Sequence, residues 1–93
     1  MGEMGGALIT GAAQRIGRCL AETLGAAGWH VVVHYHQSKN DAEETVRAIT
    51  DAGGRADALA ADLSDPAACA RLIDAAQALT GGLGCLINNA SMF

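Results

Sequence analysis

The sequence contains few aromatic residues: one tryptophan, one tyrosine and one phenylalanine, or 3% of its 93 residues. Hydrophobic residues nevertheless make up 51% of the chain, so a core must be built from alanine, valine, leucine and isoleucine. Side chains this small, together with 12 glycines, favour close packing of helices on a sheet. A chain of this length forms one small domain at most. We therefore expect a single domain over residues 1–93.

Other features are also missing, and each absence excludes a class of protein. Six Lys and Arg residues against ten Asp and Glu give a net charge of −4, which argues against nucleic-acid and anionic-membrane partners. No apolar run approaches the ~20 residues of a membrane span, and the first residues lack the pattern of a secretion signal. The cysteines, Cys19, Cys69 and Cys85, form no C-x-x-C motif. We interpret them as buried thiols in a reducing cytoplasm, with no metal site.

Apolar spacing and turn residues predict strands that alternate with helices. The predicted strands cover Gly6–Thr10, Val31–Tyr35, Ala56–Ala61 and Cys85–Asn88. The predicted helices cover Arg15–Ala27, Asp41–Ala52, and a third segment that begins at the Asp65-Pro66 cap and ends at Gly81-Gly82. The predicted inward residues are Ile16, Cys19, Leu20, Thr23, Leu24 and Ala27, then Val46 and Ile49, then Leu72, Ile73, Ala76 and Leu79. This alternation indicates an α/β fold with a parallel sheet and right-handed crossovers.

The turn between the first strand and the first helix is rich in glycine. Gly11 allows a tight turn with positive φ, and Gly17 allows helix and strand to approach closely. The backbone N–H groups from Gly11 to Ile16, together with the positive end of the helix dipole, suit a phosphate group. The alternative is an ordinary strand–turn–helix whose glycines are incidental.

The end of the second strand lacks the acidic residue that selects NAD by accepting a hydrogen bond from the ribose 2′-hydroxyl. It offers donors instead, namely His36, Gln37 and Ser38, and the first acid is Asp41. Donors of this kind favour the 2′-phosphate of NADP (NADPH). Two other interpretations remain for the histidines at 30, 34 and 36: they bind a metal, or they are polar ends of a strand.

Four motifs resemble those of the short-chain dehydrogenase/reductase superfamily, and of its pteridine-reductase branch in particular. They are T-G-x-x-x-R-I-G at 10–17, H-Y-H-x-S at 34–38, Asp62-Leu63, and N-N-A-S-x-F at 88–93. The sequence departs from the usual family pattern at Arg15 and Ser91, where glycine is common, and from the branch at Gln37, where arginine is common. The resemblance implies a Rossmann-type doubly wound parallel sheet of order 3-2-1-4, truncated after the fourth strand.

The resemblance also implies roles for individual residues. Those implied to bind the cofactor are Gly11, Arg15, Ile16, Gly17, His36, Gln37, Ser38, Asp62, Leu63, Asn88 and Ala90. Those implied to bind the substrate are Arg15, Ser91 and Phe93. Three plainer interpretations stay open: Arg15 as a solvated first-turn residue, Asp62 as a turn residue, and Phe93 as a frayed terminal residue.

By this resemblance, the chain is the cofactor-binding half of a reductase that transfers hydride from NADPH to a carbonyl or imine carbon, in a small ketone or a pterin. The catalytic tyrosine and lysine are expected beyond Phe93, so the chain alone should be inactive. Tyr35 and Lys39 have the same spacing but precede N-N-A, and we reject them as catalytic. The unpaired edge of the fourth strand predicts a missing C-terminal portion or a homo-oligomer.

Three alternatives remain at this point. The chain is a non-catalytic dinucleotide-binding module, an inert fragment, or half of a general ketone or 3-oxoacyl reductase.

Overall fold

A computed structural model describes residues 5–13 and 15–89. Strands and helices alternate along it, and the expected seven elements are all present within a few residues of their predicted bounds. In chain order they are β1 (Gly6–Thr10), α1 (Arg15–Ala26), β2 (His30–Tyr35), α2 (Lys39–Asp51), β3 (Arg55–Ala60), α3 (Pro66–Thr80) and β4 (Leu83–Asn88).

The four strands form one parallel sheet in the order β3-β2-β1-β4, which confirms the predicted topology. The register pairs Thr10 with Asn88 and Tyr35 with Ala60, so the strands finish side by side. The carboxyl ends of all four strands therefore meet at one edge of the sheet, where open α/β folds bind their ligands.

Helices cover both faces of the two central strands, which explains why β2 reads as a continuous apolar run. On one face Ile9, Val31 and Val33 are fully buried in the core that α1 and α2 cover. On the other face Leu8 and Val32 pack against α3. The valine run therefore has no solvent-facing side.

The buried face of α1 differs from the predicted one. We expected apolar residues such as Ile16 and Cys19 to face inward, but Ile16 is 71% exposed and Cys19 is exposed too. The buried stripe is Gly17, Ala21 and Gly25. Small residues face inward because the helix lies too close to its neighbours for larger ones, and Leu20 and Leu24 pack at the margin of the core. Thr23 and Ala27, also predicted inward, are exposed.

α3 begins where the sequence predicts, but fewer of its residues face the core than expected. Asp65 caps the helix by accepting a hydrogen bond from the Ala67 amide at 3.0 Å, one residue after Pro66 at the first helical position. Leu72 and Ala76 are buried as predicted, whereas Ile73 and Leu79 are exposed.

β4 lies at the edge of the sheet, as predicted, and next to it the surface is apolar. Within residues 5–13 and 15–89, Leu86 on this strand is exposed although α3 contacts the strand. In the same ranges, no helix is both long and apolar enough to cross a membrane.

The contact between α1 and the glycine-rich turn generates a stability prediction. A Cβ atom added at Gly17 would lie 2.3 Å from the Gly11 carbonyl oxygen and 2.9 Å from the Ala12 Cα, and both are backbone atoms. Gly17→Ala should therefore lower the free energy of unfolding by about 2 kcal/mol, because overpacking outweighs the better helix propensity of alanine. Urea denaturation measures this change.

Gly25→Ala is the matched control in the same helix. Its added Cβ would meet the Ile49 Cγ2 at 2.7 Å, so it crowds a side chain and not the backbone. This variant should lose less stability than Gly17→Ala, because a side chain shifts more easily than two backbone atoms. Equal losses in both variants would show that the close approach at Gly17 has no special cost.

Candidate cofactor site

The predicted site residues follow the four strand ends and so meet at one edge of the sheet. Gly11 follows β1, His36 follows β2 and Asp62 follows β3, while Asn88 is the last residue of β4. The strand register described above makes these positions neighbours although they are far apart in sequence. Ala90, Ser91 and Phe93, which the sequence analysis also assigned to the site, lie outside the described residues.

Gly11 forms the tight turn with the positive φ that its position predicted, here 64°. Its N–H donates to the His34 Nδ1 at 2.9 Å, and its carbonyl accepts from the Asn89 Nδ2 at 3.1 Å. The peptide groups on both sides of Gly11 are therefore held by protein partners. The Ala12 N–H is also used, because it donates to the His34 carbonyl at 3.1 Å.

These contacts correct one expectation. We expected the backbone amides from Gly11 onward to serve as phosphate donors, but those of Gly11 and Ala12 are occupied within the protein. Gly11 shapes the turn instead. The donors that suit an anion are those of the first turn of α1, which contains Arg15 and Ile16 and whose amides have no acceptor inside the helix.

α2 supports the same turn from the opposite side. The buried Thr45 hydroxyl lies 3.2 Å from the Ala13 carbonyl and 3.0 Å from the Asp41 carbonyl. The carbonyl groups of Gly11 and Ala13 are thus directed at protein donors.

Arg15 has an unusual backbone conformation. It is the one non-glycine residue with positive φ among the described residues, at 59°, and it is exposed. A side chain in this region costs about 1 kcal/mol, because the Cβ crowds the following carbonyl oxygen. Its cation also sits at the positive end of α1, where it is unfavourable unless an anion is near. A phosphate group bound here would offset the unfavourable placement of the charge.

His34 is a buried histidine with a partner for each ring nitrogen. Its Nδ1 accepts a hydrogen bond from the Gly11 N–H. Its Nε2 lies 2.9 Å from the Ala61 carbonyl oxygen. One nitrogen faces a donor and the other an acceptor, so the ring is neutral and carries its proton on Nε2. Burial lowers the pKa of His34, and the charge of His36 acts in the same direction.

The three histidines do not form a metal site. His30 lies at the opposite end of β2, where its Nε2 is 2.8 Å from the Asp57 Oδ2. No group of three metal-ligating side chains occurs in the part of the chain that the structure describes. The alternative that His34 is merely a polar strand end is also wrong, because this residue is buried inside the strand.

The end of β2 exposes the side chains proposed for the 2′-phosphate. His36 and Gln37 are exposed, and Ser38 occupies the N-cap position of α2. The Ser38 hydroxyl makes no capping hydrogen bond. A second helix N-terminus therefore adjoins these donors, and its dipole also favours an anion.

Asp62 has the turn role that was one of its two interpretations. Its Oδ1 accepts from the Ser64 amide at 3.0 Å and from the Ser64 hydroxyl at 2.7 Å. These hydrogen bonds lower the pKa of Asp62. The ionised carboxylate thereby fixes the turn between β3 and α3, next to the half-buried Leu63.

Two clefts border α3, one on each side. One cleft of about 470 Å³ lies between β3 and α3 and is lined by His36 and Asp62 among others. Another, of about 290 Å³, lies between α3 and β4 and is mostly apolar. We place the site by the strand ends rather than by cleft size, because a dinucleotide lies across the edge of an open sheet.

The two asparagines after β4 connect that strand to the turn. The Thr10 hydroxyl donates to the Asn88 Oδ1 at 3.0 Å and accepts from the Asn89 amide at 2.9 Å. The sequence analysis named Asn88 and Ala90 but missed Asn89, Thr45 and His34. For His34 a signal was available, since a histidine inside a buried strand needs hydrogen-bond partners.

The comparison with protein families gives an unambiguous result. The pattern of the short chain dehydrogenase family matches residues 6–93, which is most of the chain. The chain belongs to this family. Proteins of this class are oxidoreductases built on the Rossmann-type sheet described above.

Individual relatives agree with this assignment. The chain is 40% identical over 85 residues to 3beta-hydroxysteroid dehydrogenase 1 of Eggerthella lenta, covering 91% of the chain and 33% of that protein. It is 40% identical over 86 residues to the short-chain dehydrogenase/reductase homolog YusS of Bacillus subtilis, covering 92% of the chain and 79% of that protein.

A solved structure is also similar. FolM alternative dihydrofolate reductase 1 from Brucella suis, in complex with NADP, superimposes with a TM-score of 0.88 at 35% identity. The match covers 96% of the chain and 35% of FolM. The chain thus spans about a third of the length of FolM and of the Eggerthella enzyme.

The strained Arg15 generates a prediction about stability and binding. Arg15→Gly should raise the free energy of unfolding by up to about 1 kcal/mol, because glycine tolerates positive φ. The same change should weaken binding of inorganic pyrophosphate, since it removes the cation beside the helix start. Thermal denaturation with and without pyrophosphate measures both effects.

Arg15→Lys is the matched control, because it keeps the charge and the strained backbone. It should leave stability unchanged and retain most of the pyrophosphate binding. If Arg15→Gly instead destabilises the chain, the positive φ costs nothing and the argument for a phosphate at this position weakens.

Proposed function

We propose that this chain binds NADP(H) across the carboxyl edge of its sheet, with the pyrophosphate at the start of α1. The observation that carries this proposal is the fixed position of Gly11, whose N–H and carbonyl, in the two peptide groups that flank it, are both held by protein partners. A turn held in this way is shaped before any ligand arrives, so binding loses little conformational entropy. Arg15 supplies the cation for the phosphates.

NADP is favoured over NAD by the residues after β2. An acidic side chain that would accept from a ribose 2′-hydroxyl is missing there, and Asp41 lies inside the first turn of α2. His36, Gln37 and Ser38 provide donors in its place. The similarity to FolM, whose structure holds NADP, supports the same choice.

The rest of the cofactor is assigned by position along the sheet edge. Asp62 and Leu63, after β3, are proposed to contact the adenine, with the Asp62 Oδ2 as acceptor while its Oδ1 stays with Ser64. Asn88 and Ala90 are proposed to lie on the nicotinamide side. Gly17 is proposed to contribute through its lack of a side chain, which allows α1 to lie close to the turn.

We further propose that this half serves a reductase acting on a carbonyl or imine, with pterins as the first substrate class to test. The bound NADPH would supply the hydride, and residues beyond Phe93 would supply the proton. The N-N-A-S-x-F string at 88–93 and the similarity to FolM support a pterin. Ser91 and Phe93 are the proposed substrate contacts, and the second candidate is a general ketone or 3-oxoacyl reductase.

Cofactor choice is tested by titrating the chain with NADP and NAD. NADP should bind about tenfold more tightly, and Gln37→Arg should widen the gap by about another tenfold through a bidentate contact with the 2′-phosphate. Isothermal titration calorimetry measures both affinities.

Gln77→Arg is the matched control, because it adds the same charge at an exposed position near the end of α3. It should leave the NADP to NAD ratio unchanged. Equal affinity for the two dinucleotides would contradict the proposed role of His36, Gln37 and Ser38. Absence of any binding would favour the inert-fragment alternative.

The substrate class is tested in a chimera that joins residues 1–93 to the corresponding remainder of FolM. Phe93→Ala should lower kcat/KM for dihydropterin by about tenfold or more and for a small ketone by less than about threefold, because only a flat ring loses stacking area. NADPH oxidation followed by absorbance gives both constants. Equal losses for the two substrates would favour the general ketone reductase.

A further inference from the structure

We propose that His34 is a positioning residue that makes dinucleotide binding dependent on pH, by holding the cofactor turn only while its ring is neutral. This inference rests on the proposed dinucleotide function and adds a residue that touches no ligand. It starts from the position of the ring, which bridges Gly11 in the turn after β1 and Ala61 after β3. These two loops are the ones proposed to hold the pyrophosphate and the adenine.

The polarity of the two hydrogen bonds permits one protonation state. Nδ1 accepts from the Gly11 N–H at 2.9 Å, and Nε2 can donate to the Ala61 carbonyl at 2.9 Å. A proton added at Nδ1 would point at another N–H group, so the Gly11 peptide would have to move. Moving that N–H shifts Gly11 as a whole, and with it the Gly11 carbonyl of the next peptide group, which the Asn89 side chain holds. Protonation of one ring therefore disturbs the turn from which α1 begins.

The surroundings of the ring favour the neutral form near pH 7. The alternation of β2 places His34 on the face of Val32, which α3 covers. The titratable groups along the adjoining cleft are His36, Asp62, Asp65 and Arg71. Burial lowers the pKa of His34, the Ala61 carbonyl opposes this in part, and the charge of His36 lowers it further.

The sign of the pH dependence follows from this direction. A group whose pKa is lowered by folding contributes stability above its unfolded value, near 6.5, and this stability is lost as the pH falls through the lowered value. A dinucleotide that needs the held turn binds the neutral form better, so its affinity falls over the same range. Attraction between a cationic ring and the pyrophosphate would act with the opposite sign, which makes the two effects distinguishable.

The test compares the chain with His34→Asn over a pH series from about 7.5 down to about one pH unit below the midpoint of the His34 titration, which nitrogen NMR of the unmodified chain locates. The asparagine Oδ1 can take the place of Nδ1 and accept from Gly11, but it does not titrate. We expect the affinity of the original chain to fall at least about fivefold more than that of His34→Asn over this interval. NAD and NADP are both titrated, because the 2′-phosphate of NADP itself titrates near pH 6.

Two variants and one spectroscopic measurement separate the outcomes. His36→Asn should move the pH dependence with NAD to higher pH, because it removes a charge that lowers the pKa of His34, and His34→Leu should weaken binding at every pH. In the unmodified chain, nitrogen NMR should find His34 protonated on Nε2 at neutral pH, with the Gly11 amide signal moving as His34 titrates. This measurement stands even if a variant fails to fold.

The same pH dependence in the original chain and in His34→Asn would overturn the inference while leaving the proposed function intact. So would tighter binding at the lower pH, or a Gly11 amide that ignores the titration. Absence of dinucleotide binding at every pH would contradict the proposed function and, with it, the coupling of His34 to affinity. The NMR result would then show whether the hydrogen bond itself responds to pH.

Discussion

The hydrogen bonds to Gly11 are the constraint on which the rest of the site depends. Its N–H is bound by a histidine of β2 and its carbonyl by an asparagine that follows β4. Each hydrogen bond contributes only about 1 kcal/mol to stability, but together they fix a conformation that an isolated turn would not keep. The direction of the first helix, and hence the place where its positive end points, is set by this one residue.

The composition of the chain serves the same constraint. The first helix begins at the turn and lies on it through Gly17, which has no space for a Cβ atom. The other inward residues of this helix, Ala21 and Gly25, are small for the same reason. A core with larger side chains would hold the helix away from the sheet and would move its N-terminus away from the strand ends. Scarcity of aromatic residues is thus a condition for the site as well as a feature of the core.

Much of the fold could be predicted from the sequence, because local signals mark its elements. Glycine, proline and Asp65 mark the ends of helices, and the valines of β2 identify a strand covered on both faces. The order of elements and the strand order were confirmed. The inner face of α1 could not be predicted by hydrophobic spacing, since that method assumes that large residues face inward. Here the closest contacts require the smallest ones.

For the candidate site, the sequence predicted where the residues lie but not which hydrogen bonds hold them. The sequence analysis placed Gly11, His36, Asp62 and Asn88 at the correct edge, because parallel strands bring their carboxyl ends together. It did not predict the partners of Gly11, since His34 lies 23 residues away and Asn89 lies 78 residues away. Hydrogen bonds over such separations have no local pattern. The interpretation of His34 as a polar strand end failed for the same reason.

The separation between Gly11 and Asn89 has a consequence for how the chain acquires its ligand-ready form. A polypeptide emerges from the ribosome with its N-terminal end first, so β1, α1 and β2 can associate while β4 is still being made. The histidine contact is available at that early stage, but the carbonyl of Gly11 waits for the asparagine. A nascent chain thus has its three-stranded sheet before its turn is secured, because both partners of Gly11 are present only once Asn89 has been made.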